Sequence, residues 1–411
     1  MNLHVARYID RWVGLGLCLA LHAAGRLAGR PLPPPGATTP PRGTPRPAPR
    51  RILGIKFYGL GNIVMILPVL RELRDAFPEV EIDFLTLPGN ARLLEQSGLV
   101  RRVVTTDVQS YPRFVRSVVV LLRALRRGGY DTVLDFEQFL KVSGVFGFWT
   151  GAPETIGLNT EGQQRAWLYT VRVAYTDSDH TTDIFRRLVA PLGVRPGGAP
   201  PFRLPIRADD RDRVRALLAA EAPGGGPLAV LHVGTGPNYS EIALKRWDPE
   251  RFAAVADALV ERHGARIAFT GQGPEERGLV TAARAAMRQP AADTCDRLDV
   301  GQLAALLAEA AFVISNDTSV MHLAGIVGTP VVALFGPTSP LLYGPRGPRD
   351  LVFYKQLYCS PCLSNYNLKV SRCTDNVCMR SIGADEVLAG IERQYFGAAH
   401  ERTAVAAGDR G

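Results

Sequence analysis

Val313 to Pro337 reads V-I-S-N-D-T-S-V-M-H-L-A-G-I-V-G-T-P-V-V-A-L-F-G-P. The β-branched apolar run from Phe312 to Ser315 stops at Asn316-Asp317, a short helical pattern follows, and a second strand, Val331 to Phe335, begins after Gly328-Thr329-Pro330. This spacing predicts a strand–helix–strand unit. Its polar cluster lies at the carboxyl end of the first strand and the amino end of the helix. In open α/β sheets ligands bind at that end, and helix N-termini favour anions. Thr318 and His322 are four residues apart and share one helix face beside Asp317. Taken singly, Asp317 also reads as an ordinary helix N-cap and His322 as a core histidine.

Working outward, the alternation of strand and helix continues. Leu228 to Val233 is a predicted strand, Pro249 to His263 a helix and Arg266 to Thr270 a strand. Glu275 to Met287 and Gly301 to Ala310 are helices, and Ala384 to Phe396 is a final one. An extended, proline-broken passage from Ala199 to Ala208 separates this half from an earlier one. There Ile52 to Lys56, Val80 to Leu85 and Thr132 to Phe136 read as strands, and Asn62 to Ala76 and Pro112 to Arg127 as helices. Both halves predict a doubly wound parallel sheet. The boundaries expected are 51–205 and 206–396, with 397–411 as a disordered tail.

Three further places carry ligand chemistry. His232-Val-Gly-Thr235-Gly236-Pro ends a strand in a glycine-rich turn, and Lys245-Arg246-Trp247 follows after a short loop. Small residues let backbone N–H groups approach a phosphate, and a lysine adds a mobile positive charge. Lys245 alone also reads as a solvated loop lysine. Gly271-Gln-Gly273-Pro-Glu275-Glu276-Arg277 places a carboxylate in the first turn of a helix, where it also simply suits the helix dipole. In the first half, Gly59-Leu-Gly61-Asn62 turns from a strand into a helix, with Asn62 as a possible N-cap. Asp135 and Glu137 end another strand.

These strings together resemble the heptosyltransferase-like glycosyltransferases of family 9, over roughly residues 51–395. The resemblance rests on D-T-S-x-x-H-L-A followed by G-T-P-V-V-A-L-F-G-P-T, and on the blocks at 228–276. It implies a GT-B fold of the α/β class, two Rossmann-like domains facing across a cleft, the first for an acceptor and the second for a nucleoside-diphosphate sugar. It also implies inverting, metal-independent transfer with no cofactor. Thr235, Gly236 and Lys245 would hold the donor diphosphate, Glu276 the ribose, and Asp317, Thr318, Ser319 and His322 the rest of the donor site. The family's Gly-Asp turn matches Gly61-Asn62, so an asparagine stands where the family has its proposed general base. An amide cannot take up a proton at neutral pH. Glu137 is the candidate substitute.

Composition supports a folded globular chain of 411 residues, with 46% hydrophobic and 21% charged side chains. The formal charge of +9 is concentrated at the start: residues 1–50 hold seven arginines against one acid, Asp10. The body shows no basic–aromatic face, so nucleic acid is not an expected partner. His4, Arg7, Arg11, His22, Arg26 and Arg30 recur at near-helical spacing beside the weakly apolar run Val13 to Ala24, too short to span a bilayer. Residues 1–30 therefore read as an amphipathic helix at an anionic membrane surface, as a signal peptide, or as a helix packed on a domain. Nine prolines among residues 31–50 read as an extended linker.

Cys359-x2-Cys362-x10-Cys373-x4-Cys378 leaves three states open: a structural metal, disulfides, or reduced thiols. The expected activity is transfer of a sugar, a heptose among the candidates, to a lipid-linked envelope glycan such as lipopolysaccharide core. The enzyme would sit peripherally at the inner face of the plasma membrane. Alternatives are a catalytically silent relative that binds sugar nucleotide or glycan, motivated by Asn62, and another GT-B enzyme such as a hydrolase or epimerase.

Overall fold

The computed structural model describes residues 3–34, 47–105, 111–195, 201–236, 240–367 and 369–397. Most of the proline-rich linker and all but one residue of the expected tail lie outside these. The chain divides into two compact units, Met1–Phe202 and Arg203–Gly411.

The first unit runs α1 (Leu3–Leu27), β1 (Arg51–Ile55), α2 (Leu60–Ala76), β2 (Glu81–Thr86), α3 (Pro88–Gln96), β3 (Arg102–Thr105), α4 (Tyr111–Arg127), β4 (Thr132–Asp135), α5 (Lys141–Trp149), β5 (Glu154–Asn159), β6 (Val171–Ala174) and α6 (Thr181–Val189). Its six strands are all parallel, in the order β3-β2-β1-β4-β5-β6. The central strands are buried on both faces, which is why they read as continuous apolar runs. Strands β3, β5 and β6 escaped the sequence reading because polar residues interrupt their apolar ones.

The second unit runs α7 (Ala208–Glu221), β7 (Leu228–His232), α8 (Pro249–His263), β8 (Arg266–Thr270), α9 (Gly273–Ala286), β9 (Ala292–Asp293), α10 (Val300–Glu309), β10 (Phe312–Asn316), α11 (Ser319–Val327), β11 (Val331–Phe335), α12 (Pro340–Tyr343), β12 (Leu351–Tyr354), α13 (Val377–Arg380) and α14 (Ala384–Ile391). Its sheet order is β12-β11-β10-β7-β8-β9, again all parallel. Leu231, Phe269, Ile314 and Leu334 meet Trp247, Phe252 and Met379 in its core.

In each sheet the winding reverses at one place: between β1 and β4, and between β7 and β10. Such a switch point opens a crevice at the carboxyl ends of its strands, the general ligand position of doubly wound folds. All the singled-out polar motifs except Glu276 lie on the loops or helix starts that follow these four strands.

Three local expectations are corrected. Helix α2 starts at Leu60, so Asn62 sits in its first turn and Gly59 takes the cap position, at φ +88°. A Cβ on Gly59 would stand 2.7 Å from Asn62 Nδ2, so both the backbone angle and the space call for glycine. At α11 the cap is Thr318, whose Oγ1 accepts from Val320 N at 3.2 Å, and not Asp317. Finally, α1 takes the third of its readings, a helix packed on a domain, so its polar stripe does not all face outward. Gly14, Cys18, His22 and Gly25 are buried against the first unit, and Arg172 donates to the carbonyls of Pro33 and Pro34 at 2.7 and 2.6 Å. His22 is thus no part of an outward polar stripe: its Nδ1 pairs with Trp167 O at 2.8 Å.

Candidate functional site

In the second unit, the reversal between β7 and β10 places two loops side by side. Asn316, the last residue of β10, is fully buried. Its Nδ2 donates to Val233 O and Gly234 O, each at 3.1 Å, and its Oδ1 accepts from Trp247 N at 3.1 Å. One amide therefore ties the β10 end to both parts of the β7–α8 connection. Trp247 is pinned in turn through Nε1 to Ile382 O at 2.8 Å. Asn376 Nδ2 donates to Leu244 O and Arg246 O at 3.3 and 2.9 Å, bracketing Lys245 from below.

That scaffold sets Lys245 against Asp317. Lys245 Nζ donates to Asp317 Oδ2 at 2.7 Å and lies 3.4 Å from the Asp317 carbonyl. Thr338 Oγ1 donates to the same Oδ2 at 2.7 Å. Burial pushes the Asp317 carboxyl upward. The Lys245 charge and hydrogen bond, the Thr338 hydroxyl and the nearby His322 outweigh it, and hold its pKa below the usual carboxylate range. An ammonium has three donors, of which Asp317 takes two. The Lys245 side chain keeps 15% exposure, against 6% for Asp317. Beside this pair, the start of α11 adds the positive end of a helix dipole, with Ser319 as its first residue.

The remaining predicted residues form a second cluster at the ends of β7 and β8. Glu276 Oε1 accepts from Gly236 N at 2.7 Å and Oε2 from Gln272 N at 2.8 Å. Gly234 is what admits this carboxylate, since a Cβ there would stand 2.0 Å from Oε1. His232 Nε2 lies 3.7 Å from the same Oε1 and its Nδ1 3.1 Å from Thr270 O; burial lowers its pKa. Thr235 Oγ1 accepts from Arg246 Nε at 3.2 Å, and Arg246 also pairs with Glu275. Of the two adjacent glutamates, Glu276 is the buried one that joins the two turns. Pro237 lies outside the described residues.

The first unit builds its switch point differently. Lys56 directly follows β1 and is buried; its Nζ donates to Glu137 Oε2 at 2.9 Å and to Gln138 Oε1 at 3.2 Å. Glu137 Oε1 accepts from Phe57 N at 2.7 Å and Tyr58 N at 3.3 Å. Burial raises the Glu137 pKa and Lys56 more than reverses it, so the net shift is downward. Both oxygens are thus taken by the loop that leads to Asn62. The expectation of a free base at Glu137 meets a carboxylate buried and partnered on each oxygen. Asp135 sits deeper still, contacting Glu137 N at 3.0 Å, Tyr169 OH and, at 3.6 Å, Arg165; burial raises its pKa. Gly61 and Asn62 are partly exposed, and Asn62 Nδ2 reaches Tyr58 O at 3.5 Å.

Sequence reasoning missed Asn316, Thr338, Asn376 and Lys56. The Asn-Asp pair closing β10 and the lysine ending an apolar strand were the available signals for two of them. No group of three or more His, Cys, Asp or Glu side chains among the described residues is arranged to hold a metal ion, and all six cysteines are free thiols.

Residues 118–370 match the profile of glycosyltransferase family 9 (heptosyltransferase). Lipopolysaccharide heptosyltransferase 1 of Pseudomonas aeruginosa is 26% identical over 328 residues, covering 76% of this chain and 86% of the relative. Among solved structures, a family 9 glycosyltransferase from Veillonella parvula superposes with a TM-score of 0.70 at 21% identity, covering 85% of this chain and 97% of that one. An Escherichia coli ADP-heptose lipopolysaccharide heptosyltransferase II gives 0.66 at 18% identity, covering 85% and 99%. These likenesses establish a GT-B fold made of two parallel-sheet α/β units. With more than half its length matched by the profile, the chain belongs to glycosyltransferase family 9, the heptosyltransferase family.

Proposed function

We propose that this protein moves a heptose-type sugar, with inversion, from a nucleoside-diphosphate donor to a lipid-linked envelope glycan of the lipopolysaccharide-core kind, at the cytoplasmic face of the membrane. The observation that carries the reading is the Lys245–Asp317–Thr338 cluster beside the start of α11. In such a transfer the acceptor hydroxyl attacks the anomeric carbon as the nucleoside diphosphate departs from the opposite face. Negative charge grows on the departing phosphate. In this reading Lys245 Nζ, the α11 dipole and the hydroxyl of Thr235 face the developing charge, so that protein cations and dipoles supply the role often given to a divalent ion. Asp317 positions the ammonium, Thr318 fixes the helix start, and Ser319 and His322 line the same turn. Glu276 holds the Thr235–Gly236 turn in shape and offers its carboxylate edge to a ribose.

Asn62 leaves acceptor activation weak, and the well-stabilised leaving group compensates. Glu137 serves as a positioning residue: by gripping Phe57 N and Tyr58 N it sets the loop that presents Asn62. Asn62 also motivates the competing reading, a silent relative that binds donor without transfer. A panel of sugar nucleotides, beginning with the ADP-heptose named for the Escherichia coli relative, decides between them when binding and nucleoside-diphosphate release are both read. Wild-type release with a glycan acceptor supports transfer. Binding without release, restored by Asn62→Asp, supports the silent reading. Failure to bind any sugar nucleotide sinks both.

A further inference from the structure

Helix α1 sits on its unit the wrong way round for a water-facing helix. Its inward face is made of small and polar residues: Gly14, Cys18, His22 and Gly25 are buried. Asp10 is also turned inward, accepting from Lys141 N at 3.1 Å and Val142 N at 3.0 Å, so it caps the start of α5. A Cβ on Gly25 would stand 2.9 Å from Phe148, which shows how closely the helix approaches α5. The outward face is apolar. Trp12 is 54% exposed, Val13 56%, Leu19 48% and Leu27 90%, with Leu17 and alanines between them. Soluble helices normally point such a face at the core.

We propose that this outward face is a docking plate for the interface of an anionic lipid bilayer, fixed rigidly to the first unit through Asp10 and His22. Two observations choose a bilayer over a protein partner. The exposed stretch from Trp12 to Ala24 carries no charged side chain to pair with a partner's rim. The charges at its two ends, Arg11 and Arg26, are both positive and exposed, and Asp10, the one acid within residues 1–50, is turned away. No helix among the described residues is long and apolar enough to cross a membrane, so α1 would lie in the interfacial plane. The inference rests on the proposed function only for why a lipid-linked acceptor makes such docking useful.

The test uses the full chain with vesicles of phosphatidylethanolamine and phosphatidylglycerol, and with phosphatidylcholine vesicles as the neutral arm. Wild type should sediment with the anionic vesicles, and rising salt should release it. Leu17→Glu should weaken partitioning about ten-fold or more, because an exposed leucine side chain that the bilayer would bury is replaced by a charge. Its melting temperature and sugar-nucleotide binding should not change. Arg11→Gln/Arg26→Gln should remove the preference for anionic lipid and leave residual hydrophobic binding. The proposal is overturned if wild type ignores both vesicle types or if Leu17→Glu partitions like wild type. It is also overturned if the free protein is a dimer that Leu17→Glu makes monomeric, since a second copy then covers the face. Sugar-nucleotide binding is read in the same samples, so loss of docking and loss of the donor reading are separate results.

Discussion

The two units carry the same device at the same topological place and put it to different use. Each switch point sets a lysine from one central strand or its loop against a carboxylate from the other: Lys56 with Glu137 at β1/β4, Lys245 with Asp317 at β7/β10. In the first unit the side chains are 2% and 6% exposed, and both carboxylate oxygens are occupied by Lys56 or loop amides. In the second the lysine is 15% exposed and has a donor to spare. A sealed pair can only hold a loop, whereas a half-open one can also turn its cation toward a ligand. The difference teaches that a buried Lys–carboxylate contact is no signature of chemistry until the lysine's remaining hydrogen-bonding capacity has been counted.

That contrast can be broken by truncating each lysine. Lys56→Met leaves the buried Glu137 without its counter-ion, and loss of one partner of a buried pair typically costs about 3–5 kcal/mol. Chemical denaturation should show a loss of that order while sugar-nucleotide binding, proposed for the other unit, persists. A change below about 1 kcal/mol, the surface-pair level, would show that the pair is not sealed. Lys245→Met should instead strike turnover, by about 10²–10³-fold as for removal of one preorganised donor, together with nucleoside-diphosphate affinity. Its stability loss should be the smaller of the two. Equal losses of stability, or unchanged affinity, would erase the distinction and leave Lys245 a structural partner of Asp317 alone.

A finer test uses pH. The folded-state pKa of Asp317 is lowered, so between the ordinary aspartate value, about 3.9, and the folded value the unfolded chain holds more protons than the native one. Stability from this contact is complete at neutral pH and is lost as pH falls through that window. Asp317→Asn should therefore flatten the acid limb of stability against pH. Glu137, also lowered, should behave the same way when changed to glutamine. If both acid limbs keep their slope, the two carboxylates are not held by their lysines.

The parallel-sheet halves and the donor-side motifs were readable because they are local: apolar runs, glycine turns and the spacing of Thr318 and His322 all lie within a few residues. The partnerships that decide roles are not. Lys56 and Glu137 are 81 residues apart, and Asn316 reaches across 69 residues to Trp247. Helical periodicity placed the arginines and histidines of α1 in one stripe, yet could not say that His22 would be buried while Arg11 and Arg26 stay exposed. That outcome was set by Asp10 and His22 finding α5 and Trp167. The cap at Thr318, in preference to Asp317, likewise depends on which side chain Lys245 engages.

A leash and a bracket hold things differently. Were residues 1–30 joined to the body by a supple spacer alone, the enzyme could tumble at the surface and would gain only local concentration. With Asp10 clasping the start of α5 and Arg172 gripping the chain at Pro33 and Pro34, α1 and the first sheet turn as one piece. Whatever lies flat beneath α1 therefore also dictates the tilt and height at which the Gly59–Asn62 turn is presented, so that a membrane could select among acceptors by how far their sugars reach.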